Sequence, residues 1–309
     1  MSGLPASALA SITGDRSSAR PRTRVVHEQP GEPRWELWLR APHPVLAGKV
    51  SGLWAGDAEA PGAHHRALPN GELWVMFNLG PSQRVNGLAG AGDGRILRTA
   101  FISGLQERPL AFDSVNGHPR VVCIRFLPLG AFAFFGGLSQ AELANQVLDL
   151  DAVLGTRTGV EPLRQRLAET PDLGAALDVI EEWLTARVVA GPSPHPVTRA
   201  ALGILQETGG DARVATLADT VGVSSRYLGG LFRREVGLSA KGMARILRFE
   251  RALECLGASG RRDLAGIAFD CGYYDQPHLN RDFRDLAGLT PTEYLQRVFV
   301  APGWREVRG

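Results

Sequence analysis

The chain has 309 residues, 44% of them hydrophobic and 21% charged, with a formal net charge of +2. That length carries two domains with real cores, in a composition ordinary for a soluble globular protein. No run approaches the roughly 20 apolar residues that span a bilayer, the N-terminus lacks a secretory pattern, and the scattered Cys123, Cys255 and Cys271 argue against a disulfide framework and fit a reducing cytosol.

Residues 1–32 are rich in Ser, Ala, Arg, Pro and Gly and predict a flexible arm. Its Arg20, Arg22 and Arg24 read as a solvated tail or as a contact to DNA or an acidic partner. From Trp35 the texture becomes short β-type runs, WELWLR, KVSGLWAG, ELWVMFNLG, ILRTAFISG and PRVVCIRFLPL, separated by turn chemistry such as Pro69-Asn70-Gly71. Several short strands at this spacing predict a β-barrel or sandwich. His64, His65, Glu72 and His118 lie in this region. Adjacent histidines on a strand point to opposite faces, so no metal site is expected there. No nucleophile elbow, P-loop or dinucleotide fingerprint marks a catalytic centre, and no cofactor or catalytic residue is expected.

The period turns helical near Gly130. Ser139-x-x-Glu142 reads as a capping box that opens one helix through Leu143, Val147 and Leu150. A second helix is expected from about Val160 to Glu169. A third, after Pro171 and Asp172, carries Leu173, Leu177, Ile180, Leu184 and Val188 in one stripe with Trp183 at its edge. That stripe packs either within the chain or on a second copy. Residues 33–190 thus form the β-rich domain, and GPSPHP, residues 191–196, reads as a linker.

Residues 197–309 hold one unit written twice. Ala218, Gly222, Leu228 and Phe232 recur as Ala268, Gly272, Leu279 and Phe283. A small residue, a glycine four on, and then Leu-x-x-x-Phe outline a helix-turn-helix, in which the glycine takes the positive φ of a sharp helix end. Thr216 is expected to cap the first positioning helix, with Asp219 in third position. Ser224 caps the first recognition helix (224–235), Asp263 the second positioning helix and Asp275 the second recognition helix (275–286). A helix from Ser239 to Leu256 joins the units, with Met243, Ile246, Phe249 and Leu253 inward. Thr290-Pro291-Thr292-Glu293 starts a last short helix. Tyr227, Leu228, Leu231, Phe232, Tyr273, Leu279 and Phe283 read as core. From Val197 onward 16 Lys/Arg stand against 13 Asp/Glu, and 18 against 19 before it, so the small basic excess lies where phosphate contacts are needed.

The run LADTVGVSSRYLGGLFRREVGLS, then RALECL and IAFDCGYYDQPHLNRDFRDLAGLTPTEYLQR, resembles the DNA-binding domain of the AraC/XylS family of bacterial transcription regulators. The resemblance covers about a third of the chain; the N-terminal half is similar to the family's sensory half in layout only. It implies an α+β chain, with an N-terminal β-barrel or sandwich-like sensory domain with flanking helices and a C-terminal all-α double helix-turn-helix domain. It also implies a cytoplasmic, sequence-specific regulator whose recognition helices enter successive major grooves. Double-stranded DNA is the implied partner. A small-molecule effector, RNA polymerase and a second copy of the chain are left open, and a membrane is not expected. Base reading falls on Gln276, Pro277, Asn280 and Arg281 in the second unit and on Ser225 and Arg226 in the first. Arg233, Arg234 and Arg284 are the implied phosphate contacts. Gly229 and Gly230 depart from the family pattern, because base-reading side chains project there. Either the first helix reads few bases, or the glycines permit close backbone approach.

Overall fold

A computed structural model describes residues 22–27, 34–59, 64–87, 94–115, 117–155, 159–188, 191–258, 263–301 and 304–307. The N-terminal half contributes β1 (Arg22–His27), β2 (Trp35–Arg40), β3 (Val50–Ala58), β4 (His64–Ala67), β5 (Leu73–Asn78), β6 (Gln83–Asn86), β7 (Arg95–Leu97), β8 (Ala100–Ser103), β9 (Leu110–Ser114) and β10 (Arg120–Phe126). There follow α1 (Pro128–Phe134), β11 (Val147–Asp149), α2 (Leu150–Leu154), α3 (Val160–Ala168) and α4 (Leu173–Val188). The C-terminal half holds α5 (Pro196–Glu207), α6 (Val214–Thr220), α7 (Ser225–Val236), α8 (Ala240–Ala258), α9 (Leu264–Asp270), α10 (Gln276–Ala287) and α11 (Pro291–Arg297). A short antiparallel pair, β12 (Val298–Ala301) and β13 (Trp304–Val307), comes last.

Seven antiparallel strands in the order β1-β2-β3-β10-β5-β8-β11 face a second sheet, β4-β9-β6-β7. Alternation along β10 sorts the two faces. Val122, Ile124 and Phe126 pack on Leu177, Ile180 and Leu184 of α4, whereas Val121 and Cys123 join Leu97, Leu110 and Phe112 between the sheets. The central strands are thus buried on both sides, which is why VVCIRF and LWVMF read as unbroken apolar runs. The result is a two-sheet sandwich with helices on one outer face. The α4 stripe packs within the chain, and Trp183 meets Phe77 edge-on at 6.0 Å between ring centroids. The side chain of Val188 lies outside the described residues.

Three expectations about the N-terminal half are corrected. Residues 22–27 of the supposed arm are a strand at the edge of the large sheet, because Arg24 finds both oxygens of Glu36 and Arg22 pairs with Asp178 of α4. Arg20 and the rest of 1–32 lie outside the described residues. The helix expected from Ser139 is a 3-10 turn, Gln140–Glu142, followed by β11 and then α2. Ser139 makes no side-chain cap, and Asn145 takes a left-handed φ of 57° that breaks the helix. Pairing of Val147–Asp149 with β8 then outweighs the local helical period. The run ILRTAFISG is not one strand either: β7 belongs to the small sheet and β8 to the large one, so the chain crosses between sheets within it.

In the C-terminal half Met243, Ile246, Phe249 and Leu253 of α8 form the spine of one core with Leu228, Phe232, Leu279 and Phe283. Phe249 and Phe283 meet in a T at 4.9 Å. Full burial of one such ring contributes about 1.5–3 kcal/mol. The expected caps at Ser224, Asp263 and Asp275 each accept a backbone N–H, and Thr290 and Glu293 cap reciprocally. Thr216 does not cap. The first positioning helix begins at Val214, and the Thr216 hydroxyl donates back to the Arg213 carbonyl at 2.9 Å. Tyr227 is not core: it is 49% exposed.

The two halves share surfaces. Leu105 is buried within the C-terminal core, with Leu68 and Leu129 packed against it. Arg66 on β4 donates to the Ala287 carbonyl at the end of α10, at 3.1 Å.

Candidate nucleic-acid interface

The duplicated sequence gives a duplicated hydrogen-bond pattern. In the first unit the Gly222 N–H reaches the Asp219 carbonyl at 3.1 Å and the Val223 N–H reaches the Ala218 carbonyl at 3.0 Å. In the second, Gly272 reaches Phe269 at 3.1 Å and Tyr273 reaches Ala268 at 2.9 Å. Both glycines hold positive φ, 72° and 77°, which closes the positioning helix and sends the chain sharply into the next one. The second turn is one residue longer, since α7 begins three residues after its glycine and α10 four. Ser224 accepts from the Tyr227 N–H at 3.3 Å and Asp275 from the His278 N–H at 2.8 Å, which fixes where each recognition helix starts.

Each recognition helix buries one face and bares the other. On α10 Leu279, Phe283 and Leu286 are buried. Pro277, Arg281 and Arg284 are exposed in a line, with Gln276 and Asn280 half-buried beside them. On α7 Leu228, Phe232 and Val236 are buried, while Ser225, Arg226, Gly230 and Arg233 are exposed and Gly229 is half-buried. A Cβ added at Gly229 or Gly230 would meet no atom within 4 Å, so packing does not require either glycine. Arg226, Arg233, Arg281 and Arg284 form no ion pair among the described residues, leaving their charge available to an anion.

Arg234 is placed differently from the other implied phosphate contacts. Its guanidinium lies over the Phe132 ring of α1, 5.8 Å from the centroid, although the residue stays exposed. The same end of α7 is fastened twice more. The buried Glu235 carboxylate accepts the His195 N–H at 2.9 Å, and Gly237, at φ 103°, sits so close to the Gln140 carbonyl that a Cβ would come within 2.9 Å of it.

Sequence reasoning missed a side chain that ties α10 to α8. Arg245 on α8 donates to Asp282 at 2.6 Å and to Asp285 at 2.5 Å. Burial opposes its charge, but the two carboxylates outweigh burial and hold the guanidinium above its ordinary pKa. No local pattern signals this contact, because the partners lie 37 and 40 residues away. Burial, by contrast, raises the phenol of Tyr273, beneath the start of α10. Arg248 lies 5.5 Å over that ring.

Comparison with known proteins follows the same division. Residues 217–297 match a family model described as a helix-turn-helix domain, and residues 40–149 match one described as a domain of unknown function (DUF6597). Among curated relatives, the HTH-type transcriptional activator RhaR of Yersinia pestis bv. Antiqua is 34% identical over 77 residues, 25% of this chain and 26% of the relative. RhaR of Yersinia pseudotuberculosis gives the same figures. The chain therefore spans about a quarter of the length of the curated relatives it matches. Among solved structures, ToxT from Vibrio cholerae aligns at 9% identity over 79% of this chain and 98% of its own, with a TM-score of 0.45. A transcriptional regulator from Chromobacterium violaceum, described as having an AraC-type DNA-binding domain, aligns at 25% identity over 33% of this chain and 90% of its own, with a TM-score of 0.30. With its two matching turns, its two capped second helices and the helix that joins them, the C-terminal region of the chain is a helix-turn-helix domain.

Proposed function

We propose that the protein is a cytoplasmic, sequence-specific DNA-binding transcription regulator. In this reading α7 and α10 enter successive major grooves on one DNA face, and the N-terminal sandwich senses an effector or holds a second copy of the chain. The observation that carries it is the bare row on α10: Pro277, Arg281 and Arg284 exposed, with Gln276 and Asn280 beside them, on a helix whose other face is buried. Asn280 suits adenine and Arg281 guanine, each good bidentate pair being worth about 1–3 kcal/mol of discrimination. Ser225 and Arg226 are the bases' partners on α7, and Arg233 and Arg284 take phosphates. Arg234 joins them when Phe132 releases it. The 19 residues of α8 run about 28 Å at 1.5 Å per residue, compatible with grooves about 34 Å apart. Contacts of the N-terminal half with both α7 and α10 support a route by which its state biases the reading units.

Binding of the full chain to its own upstream DNA, with random duplex as competitor over a salt series, tests this reading. Wild type should prefer the upstream duplex, and Arg281→Ala should flatten that preference by about 1–3 kcal/mol, with a smaller loss for Arg226→Ala. Weak, wholly salt-driven binding that ignores both substitutions would sink it.

A further inference from the structure

Two of the three cysteines converge on the joint between the linking helix and the second reading unit. Cys255 lies near the end of α8, and Cys271 is the C-cap of α9. The Cys271 thiol reaches the Cys255 sulfur across 3.6 Å. Cys271 is buried and Cys255 half-buried. Burial, reinforced by Cys255, pushes the Cys271 thiol up to about 12, so it stays protonated at neutral pH. The more accessible Cys255 is then the sulfur that an oxidant meets first. A disulfide bond is about 2.05 Å long, so closing this pair asks for an approach of about 1.5 Å.

We propose that Cys255 and Cys271 form an oxidation-sensitive dithiol that cross-links α8 to α9, with a hydroperoxide as the oxidant. The Cys255 thiolate attacks one peroxide oxygen. The O–O bond breaks, an S–O bond forms, and the second oxygen leaves as alkoxide or hydroxide, which gains a proton. The Cys271 sulfur then attacks the Cys255 sulfur. The S–S bond forms, the S–O bond breaks, and the departing hydroxide takes the Cys271 proton and leaves as water. Two thiols have lost two electrons, and the hydroperoxide has become alcohol and water.

The cross-link pulls at a point with little slack. Cys271 precedes Gly272, where an added Cβ would lie 2.7 Å from a carboxylate oxygen of Asp211. Movement of Cys271 is therefore passed to the turn and on to α10. A displaced α10 no longer matches the spacing set by α8, so the cross-linked form holds a two-groove duplex less tightly. This last consequence rests on the DNA-binding reading; the cross-link does not.

The full chain, reduced and then treated with hydrogen peroxide, is mapped by mass spectrometry. The peptides carrying Cys255 and Cys271 should be joined, while the buried Cys123, whose thiol burial also raises, should remain unmodified. Affinity for a duplex that the reduced protein selects from a random pool should fall at least about fivefold, recover with dithiothreitol, and stay unchanged in Cys255→Ser under the same treatment. No joined peptide overturns the proposal, and a joined peptide with unaltered affinity overturns its consequence for α10. If no duplex is enriched, the DNA-binding reading fails instead, and the joined peptide alone decides the cross-link.

Discussion

Arg245 and Asp282 lie on different helices and meet at 2.6 Å, with the Asp282 side chain almost fully buried and Arg245 part-buried. This pair fixes the second recognition helix against the helix that links it to the first. Arg245→Ala leaves a buried carboxylate without its cation, a loss of about 3 kcal/mol. Urea unfolding should show that drop. Arg245→Lys should recover only part of it, because lysine cannot reach Asp282 and Asp285 with separate fixed donors. A midpoint unchanged in both variants would show that the pair does not anchor α10.

Gly229 and Gly230 separate folding from DNA contact. Each sits in a helix with open space where a side chain would go, so Gly→Ala should stabilise the protein by up to about 1 kcal/mol per site. If the glycines admit the duplex backbone, the added methyl of Gly230→Ala stands in its way. Thermal melting should therefore show a higher Tm for Gly230→Ala, and fluorescence anisotropy weaker DNA binding. A higher Tm with unaltered affinity would leave the first unit reading through Arg226 alone.

Arg284 is expected to act through phosphate rather than base. Arg284→Ala should weaken binding to all duplexes alike and reduce the log–log salt slope by about 1. A loss confined to one sequence would instead make Arg284 a base reader.

The attachment of β1 should respond to acid. Arg24 donates to both Glu36 oxygens, at 3.0 and 2.9 Å. These bonds hold the Glu36 carboxyl below its ordinary range, against the pull of burial. A lowered folded-state value means that the contribution is complete above the ordinary glutamate pKa, about 4.3, and is lost as pH falls through the lowered value. Trp38 reports on the site, since its indole donates to Glu36 and Arg24 lies over its ring. Its fluorescence should change across that acid range in wild type, the step should move to higher pH in Arg24→Ala, and it should vanish in Glu36→Gln. A step that survives Glu36→Gln would assign it to another carboxylate.

How legible each region was follows from how local its determinants are. Ser224, Asp263, Asp275 and Thr290 cap N–H groups three residues away, so these helix starts could be read from the chain alone. The segment after Ser139 carried an equally local helix signal, but β8 claimed Val147–Asp149, a partner invisible to periodicity. Arg22 and Arg24 looked like tail residues because Asp178 and Glu36, their acceptors, are 156 and 12 residues off. On α10 the candidate row came from the family resemblance, residue by residue, and the structure leaves Pro277, Arg281 and Arg284 of it exposed. The exposure of Tyr227 was not legible, and neither was the hold of Arg66 on Ala287, which only the packing of the two halves creates.

The fastening of α7 at Phe132, Gln140 and His195 bears on any attempt to transplant the C-terminal domain. A cut at the GPSPHP segment looks clean on paper, yet it strips the far end of α7 of the groups that hold Arg234, Glu235 and Gly237. A chimera that keeps the donor's 132–140 stretch should retain the pose of the first unit. One that replaces it inherits a loose first helix beside an intact second.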